Sequence, residues 1–386
     1  MHTQKVVWLE GMFLRPQHFQ QHDRFLLNHA EMLLQQSQPY SWGLSEFKID
    51  RQLLLQGKLA FTSLKGIFPD GTPFSAPAHD PLPAVIELPT QARNQLIYLA
   101  VPLQRLGVPE ACLPESESQA RYAINTYAAP DTLAKNFTTT PIQTAALNLS
   151  VLCGEQDMAG YSCIPICFLL ENSEEQGARL DDQFMPPCLT FQVAEPLRAF
   201  VTELSGLLQH RGEALAARIL NGRLGGSAEI ADYLMLQAVN RYQPVLANLD
   251  QTRTLHPFQL HTLLLSLAGE LATFSAKTKR PPSFSAYVHG ELNKSFADII
   301  GSLRQSLSSV IEQNAIPLQW VERKFGIRVA PINDRQLIDA CSFVLAAKAE
   351  LSPEKLRGLF AAQAKIGPVE QISQLVNLQL PGITLL

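Results

Sequence analysis

Residues 7–21 decide how this chain begins to fold: Val7-Trp8-Leu9-Glu10-Gly11-Met12-Phe13-Leu14-Arg15-Pro16-Gln17-His18-Phe19-Gln20-Gln21. The run is rich in apolar side chains, but Glu10 and Arg15 interrupt it, whereas a signal peptide has a basic start and a continuous apolar core. Chain termini usually fray unless something holds them. The run therefore predicts a docking surface, either on this chain or on a partner. Pro16 suits the first turn of a helix, which we expect over residues 16–36.

The composition indicates a folded protein with little charge. The 386 residues are enough for two or three domains with a buried core. Charged residues make up only 17%, against an average of roughly 25%, which is typical of a chain that hides surface in an assembly. The net charge of −4 gives no electrostatic case for nucleic acid. No apolar run approaches the roughly 18 residues that a membrane-spanning helix needs.

The six cysteines lack the pairing of a zinc ribbon; they are Cys112, Cys153, Cys163, Cys167, Cys188 and Cys341. Cys163 and Cys167 are the closest pair, and on a regular strand their spacing would put both side chains on one face. With no export signal, we interpret the six as buried free thiols in a reducing cytosol.

Between the first helix and about residue 193 the pattern favours short strands. Two segments alternate apolar and polar residues, as half-buried strands do; they are centred on Phe47 and Ile49, and on Leu147, Leu149 and Val151. Residues 96–101 form a continuous apolar run, typical of a strand that is buried on both faces. Turn signals such as Pro69-Asp70-Gly71-Thr72 separate the segments, so we predict a β-sandwich or barrel, with a loop over residues 109–121.

Near residue 196 the hydrophobic period becomes helical. We predict helices over about residues 196–220, 228–248, 257–275 and 290–313, the second kinked or shortened at Pro244, and together they make a bundle. The fourth helix has an apolar seam with steps of three and four residues, at Leu292, Phe296, Ile299, Leu303, Leu307 and Val310. Such a seam fits a bundle core within one chain or a contact between chains, and the pattern leaves both open.

From residue 316 the pattern mixes strands and helices. Strands are expected over residues 325–329 and 343–347, and helices are expected to open at Ser352-Pro353-Glu354 and at Gly367-Pro368-Val369-Glu370. The chain ends on the apolar segment Gly382-Ile383-Thr384-Leu385-Leu386, which lacks a partner strand. We therefore expect either a neighbouring chain to supply that strand or an incomplete domain.

The histidines of the first helix do not predict a metal site. His18 and His22 lie one helical turn apart, as in zinc proteases, but Phe19 stands where the general-base Glu should follow. His29 is two turns further along the helix and too distant to share a metal with them. We interpret all three as solvated residues.

No other motif predicts chemistry. His256 and His261 flank a helix start, and we interpret them as a cap neighbour and a surface residue. The glycines of residues 222–226 lack the Lys-Ser or Lys-Thr of a phosphate loop. We predict no catalytic, metal or cofactor site. A hydrolase with a dispersed site is the remaining enzyme alternative, and a deep pocket lined by titratable side chains would reveal it.

The opening motif W-x-E-G-M-F-L-x-P-Q-H-F-Q resembles the start of the TssK (ImpJ/VasE) family, trimeric baseplate subunits of bacterial type VI secretion systems. Further segments resemble this family in the same order: Phe68-Pro69-Asp70-Gly71-Thr72, Ser116-Glu117-Ser118 with Arg121-Tyr122, Phe184-Met185-Pro186-Pro187-Cys188-Leu189, Leu263 to Ser275, and Leu375-Val376-Asn377 with Pro381-Gly382-Ile383. The resemblance spans the whole chain. Family members continue for some tens of residues beyond the last motif.

This resemblance implies a multi-domain fold. Residues 1–193 would form a β-sandwich shell like that of phage receptor-binding proteins, residues 194–315 a four-helix neck, and residues 316–386 an incomplete α+β domain. The protein would be a non-enzymatic, homotrimeric adaptor without cofactors, cytoplasmic and peripheral to the inner membrane. It would link the TssF–TssG wedge to TssL and TssM, with the latter contacts impaired by the missing end. The alternative is a phage-tail receptor-binding protein, which would end in a carbohydrate-binding tip.

The resemblance also suggests two sets of contact residues. At the wedge interface we expect Trp8, Glu10, Met12, Phe13, Pro16 and Phe19; the alternative is that they pin the N-terminus into the chain's own β-domain. At the trimeric neck we expect the seam of the fourth helix, Leu292, Phe296, Ile299, Leu303, Leu307 and Val310.

Overall fold

The computed structural model describes residues 3–105, 107–113, 120–133, 138–154, 156, 158–173, 177–220, 227–252, 254–308, 318–332, 338, 343, 345, 360 and 363–383. Two compact units divide the chain. The first contains Met1–Ala217 and Ala231–Ser309, and the second contains Arg218–Ile230 and Val310–Leu386. Residues 1–193 and most of residues 194–315 therefore lie in the first unit.

The first unit begins with helix α1, Pro16–Ser37, followed by a β-rich region that also holds the short helix α2, Arg51–Leu54. Its strands are β1 Gly43–Ile49, β2 Lys58–Leu59, β3 Phe61–Ile67, β4 Pro73–Ala76, β5 Ile86–Glu87, β6 Arg93–Pro102, β7 Ala111–Cys112, β8 Tyr122–Pro130, β9 Thr139–Leu147, β10 Ser150–Cys153, β11 Tyr161–Ser173 and β12 Gly177–Leu180. The β-rich character predicted for residues up to about 193 is confirmed.

The strands form small sheets with the orders β1-β3-β4, β2-β5, β7-β8-β9 and β10-β6-β11-β12. The pairs are antiparallel except β7 with β8, which is parallel. Strand β6 lies inside the four-stranded sheet, and its residues Ile97, Leu99, Ala100 and Val101 are fully buried. The strand predicted from the apolar run at residues 96–101 is confirmed. One face of it is fully buried, whereas on the other face Ala100 is buried and Leu96 and Tyr98 are half-buried.

Two details of the strands differ from the sequence prediction. The segment around Leu147 to Val151 is split between β9 and β10, because the chain turns at Asn148. The backbone N–H of Asn148 donates to Arg121 O at 2.9 Å, and its side-chain amide donates to Ala120 O. The loop expected over residues 109–121 contains the short strand β7.

The expectation that Cys163 and Cys167 share a face of their strand is wrong. Cys163 pairs with Ala100 and Cys167 with Ile97, and the register shifts between Pro165 and Cys167. One extra residue at this bulge reverses the alternation of side chains. Cys167 is therefore buried, whereas Cys163 on the other face is half-buried.

Four long helices follow: α3 Glu195–Leu220, α4 Ser227–Thr252, α5 Pro257–Ser275 and α6 Leu292–Ser308. They match the four predicted helices. Helix α4 continues through Pro244 and ends at Thr252, four residues beyond the predicted end at about residue 248. The buried side chains of Tyr242 and Leu246, on either side of the proline, hold the helix on the core despite the lost hydrogen bond.

The apolar seam of α6 lies inside the single chain. Five of its members are buried, with 0 to 6% of the side chain exposed: Leu292, Phe296, Ile299, Leu303 and Leu307. Val310 lies outside the described residues. The five side chains thus form the core of the bundle, which was the intrachain alternative, and they have no surface left for another chain unless the bundle opens.

Less of the second unit is described. Strands β13 Val321–Glu322 and β14 Arg328–Val329 form a hairpin. The strand predicted over residues 325–329 is longer than the observed β14, because Phe325 adopts a left-handed turn with φ of 68°. Helix α7, Ile372–Asn377, begins two residues after the helix start predicted at 367–370. The expected helix at Ser352 lies outside the described residues, as do most of the strands expected over 343–347 and 382–386.

Candidate interaction surface

The N-terminal segment, residues 3–15, lies along its own first helix. The indole ring of Trp8 is 6.2 Å from the ring of Phe19 and 6.0 Å from that of His22, measured between centroids. The side chain of Gln21 donates to the backbone carbonyl of Gln4 at 2.8 Å. These contacts hold the segment against α1.

A sharp turn presents the tip of this segment. Gly11 has a φ of 77°, a conformation that favours glycine. Across the turn the backbone N–H of Met12 donates to Leu9 O at 3.3 Å. The turn leaves the ring of Phe13 90% exposed. Together with its exposed neighbours, this ring makes the tip a candidate interaction surface.

The six expected wedge residues lie close together along the chain at the start of α1. Phe13, Trp8 and Phe19 are exposed, as are Glu10 and Pro16, while Met12 is half-buried. The alternative role, pinning the N-terminus into the β-domain, gains no support from the contacts of Trp8, which are with α1. We call these six residues the N-terminal surface.

His18 and His22 both make contacts at the start of α1. Nδ1 of His18 accepts from the backbone N–H of Arg15 at 3.0 Å and so closes the first turn of α1. The rings of both histidines pack near Trp8. Among the described residues, no group of three or more His, Cys, Asp or Glu side chains is placed to hold a metal ion.

Helix α1 contacts the β-rich region through polar groups. Nη2 of Arg24 lies 3.0 Å from Oε1 of Glu110. Glu31 packs on the turn at Gly71, where a Cβ would stand only 2.7 Å from Cγ of the glutamate. None of the helix's residues is buried. The helix is therefore attached along one polar side.

Arg121 joins two of the motifs that the sequence singled out. Its buried guanidinium donates to Pro102 O at 2.6 Å and to Oδ2 of Asp70 at 2.9 Å, and it also contacts the hydroxyl of Thr72. It thereby fixes the turn at residues 68–72 on which α1 rests. The Ser116-Glu117-Ser118 part of this motif lies outside the described residues.

Replacing Arg121 by lysine is expected to lower the free energy of unfolding by about 2 kcal/mol. The planar guanidinium of Arg121 reaches three partners, whereas the single ammonium of lysine cannot satisfy all of them. Polar groups left buried without a partner lower stability. Chemical denaturation would measure the change. The matched control is Arg179→Lys, at an exposed pair with Glu171, which should change stability by less than about 0.5 kcal/mol. Equal effects would contradict this role for Arg121.

A cluster of histidine and aromatic rings joins the β-rich region to the helices. The imidazoles of His256 and His289 stack with centroids 5.3 Å apart. Nε2 of His256 donates to Tyr40 O at 3.2 Å, and Nε2 of His289 donates to Trp42 O at 2.8 Å. Two rings from the helical region thus bind the backbone carbonyls of Tyr40 and Trp42, which lie two residues apart just before β1. We call this the junction cluster.

The remaining ring nitrogen of each histidine also has a partner, and burial favours the neutral state of both rings. Nδ1 of His256 accepts from the backbone N–H of Phe258 at 3.1 Å, and Nδ1 of His289 faces the hydroxyl of Tyr287 at 2.7 Å. Burial lowers the pKa of His256 and lowers that of His289 to about 4. The expected cap neighbour is therefore the N-cap residue itself, with a second bond to the β-rich region.

His261 is also in this cluster, so its interpretation as a surface residue is wrong. It is buried, with the rings of Tyr287 and Phe296 each 5.4 Å away. Burial lowers its pKa. The local signal was available: His261 lies four residues after Pro257, on the apolar face that includes Leu260 and Leu264.

The thiols and hollows of the described region do not point to catalysis. Burial raises the pKa of Cys167 and Cys188 far above the ordinary value, so both remain thiols. Two hollows, one beside Arg121 and one beside Trp42, measure about 170 and 180 Å³. Ligand sites usually measure about 300–1,000 Å³. The enzyme alternative gains no support from these hollows.

Comparison with known proteins identifies the class of this chain. Residues 18–386 match the family described as bacterial type VI secretion, with the names EvfL, ImpJ and VasE. The chain belongs to this family. No helix in the part of the chain that the structure describes is long and apolar enough to cross a membrane.

Individual relatives are similar over most of the chain. The type VI secretion system baseplate component TssK1 of Pseudomonas aeruginosa is 43% identical over 384 residues, which cover 99% of this chain and 86% of the relative. A crystal structure of TssK is similar with a TM-score of 0.78 and 36% identity over 99% of this chain and 87% of that one. A chain of the TssK-TssF-TssG baseplate subcomplex is similar with a TM-score of 0.71 and 26% identity, covering 80% of this chain and 100% of that one.

Proposed function

We propose that this protein is a homotrimeric, non-enzymatic adaptor of a type VI secretion baseplate. It binds the TssF–TssG wedge and connects it to the inner-membrane proteins TssL and TssM, working in the cytoplasm at the membrane periphery. The exposed apolar N-terminal surface is the observation that carries the proposal. The chain's 43% identity to a baseplate component and its likeness to a TssK chain solved with TssF and TssG support this choice of partner.

The wedge is bound by burying apolar side chains that the isolated protein leaves in water. Burial of each large side chain contributes roughly 1.5–3 kcal/mol, and aromatic residues are the usual anchors of interfaces. Phe13 is the most exposed of the anchors and Trp8 the largest. Because Trp8 packs on α1, the segment is partly ordered before binding, which reduces the entropic cost of ordering it in the complex.

Replacing Phe13 by alanine is expected to weaken binding to the purified TssF–TssG wedge at least tenfold. The melting temperature should stay within about 1 °C, because a side chain that is 90% exposed contributes little to folding. Surface plasmon resonance and thermal denaturation would measure the two quantities on the same preparations.

The matched control for Phe13 is Leu55→Ala, another strongly exposed apolar side chain, which lies in the turn before β2. It should leave wedge binding unchanged. If Phe13→Ala binds normally, the N-terminal surface is not the wedge site. If it lowers the melting temperature by several degrees, the residue has an internal structural role instead.

A further inference from the structure

We infer that the outward face of helix α1 is where copies of this chain pack against one another. This face, the α1 stripe, consists of Phe19, His22, Leu26, His29, Ala30 and Leu33. The inference rests on the homotrimer of the proposed function and assigns its contact to a helix other than α6, whose seam is already filled within one chain.

The stripe has the spacing of a coiled-coil seam. Phe19, Leu26 and Leu33 are seven residues apart, and His22 and His29 repeat three residues after the first two of them. Their positions correspond to a and d of a heptad, which place side chains along one line of contact with another helix. The three apolar side chains are 52%, 49% and 60% exposed, respectively. A heptad seam whose part from Leu26 to Leu33 is unfilled predicts a helix as its partner.

Helix α1 is attached to its own chain by its opposite side. At 100° per residue, Arg24 and Glu31 lie about 160° around the helix from Leu26 and Leu33. Arg24 pairs with Glu110, and Glu31 packs at Gly71. A surface helix normally turns its apolar face toward the core and its polar face toward water. Here Arg24 and Glu31 face the chain's own β-rich region, whereas Leu26 and Leu33 are exposed, so the stripe is left for a partner.

The repeat and its charge favour a second copy as the occupant. In a cyclic oligomer whose helices lie beside the rotation axis, identical residues meet at the same level, so each apolar layer of the stripe faces its own equivalent. Asp23 is the only residue carrying a full charge among the a, d and e positions from Phe19 to Leu33. Little repulsion therefore opposes the approach of like helices. Trp8 covers the first turn, which leaves Leu26 to Leu33 as the open part.

Leu26 and Leu27 offer a matched pair for the test, because they are neighbours in sequence, both exposed, and about 100° apart around the helix. Light scattering coupled to size exclusion, at about 10 µM full-length protein, should give the mass of a trimer for the wild type and for Leu27→Asp. Leu26→Asp should give a monomer, with at least a tenfold weaker association. Circular dichroism should show the same helix content in all three.

Crosslinking identifies the occupant directly. Mild oxidation of Leu33→Cys should join two copies into a covalent pair, because equivalent residues meet at the axis. Gln35→Cys, on the attached side of the helix, should not form this pair above the background of the native thiols.

The outcomes separate this inference from the proposed function. A monomeric wild type would overturn the homotrimer itself and the inference with it. A trimeric Leu26→Asp without crosslinking at Leu33→Cys would overturn the α1 assignment alone. A Leu26→Asp protein that stays trimeric but loses the TssF–TssG wedge would show that the wedge, not a second copy, occupies the stripe.

Discussion

Lowering the pH from 6.5 to 4 is expected to remove about 3 kcal/mol from the free energy of unfolding through His289 alone. The side chain is only 3% exposed, and burial lowers its pKa from 6.5 to about 4. Each pH unit between the two values is worth about 1.4 kcal/mol. Urea denaturation at a series of pH values would measure the loss.

The sign follows from which state binds the proton. Above pH 6.5 His289 is neutral in both the folded and the unfolded chain, so stability does not depend on it. Between pH 6.5 and about 4 the unfolded chain takes up a proton that the folded chain refuses, and stability falls. Below about 4 both states are protonated and the loss levels off. His256 and His261, whose pKa values are also lowered by burial, act in the same direction.

Carboxylates titrate in the same window, so a variant must isolate the histidine. His289→Gln keeps a side-chain N–H for Trp42 O but cannot titrate. It should be less stable than the wild type at pH 7 and should lose about 3 kcal/mol less on acidification. His79→Gln, at an exposed histidine, should keep the wild-type slope. Parallel curves for the wild type and His289→Gln would show that the junction cluster does not control acid stability.

The sequence predicts most helices and the buried strand β6 because their signals are local. Helix α5 begins at Pro257 and ends at Ser275, as its proline and its apolar period indicate. The turn at residues 68–72 was likewise visible from its own residues. In each case the period or the turn chemistry of fewer than 20 neighbouring residues is sufficient, and no distant contact has to be known.

The junction cluster could not be predicted, because its parts are far apart in the chain. Tyr40 and Trp42 precede β1, whereas His256 and His289 lie more than 200 residues later. Within the cluster, only the N-cap position of His256, directly before Pro257, and the place of His261 on the apolar face of α5 have local signals. The bulge in β11 could not be predicted either, because the register of one strand depends on its partner strand. Periodicity shows which residues are buried but not which chain buries them, as the seam of α6 demonstrates.

Replacing Leu303 by aspartate tests whether one chain or several bury the seam of α6. Of the single changes considered, it should lower stability the most. The sequence left open whether the seam joins helices of one chain or of several. Leu303 is fully buried within the single chain. A carboxylate there loses a packed side chain and has no cation among the buried seam residues to pair with, at a cost of about 4–5 kcal/mol or more. For a domain of ordinary stability, about 5–15 kcal/mol, the bundle should unfold or become marginal.

The measurement separates the two alternatives because they predict different states for the variant. If the seam joined chains, Leu303→Asp would give folded monomers with normal helix content. If it is the core of one chain, circular dichroism should show lost helix and a melting temperature lowered by 10 °C or more, whatever the oligomeric mass. Gln305→Asp, at an exposed position two residues further along α6, introduces the same charge without burial and should stay folded. A folded, monomeric Leu303→Asp would place the seam between chains, and α1 would then no longer be needed to explain the association.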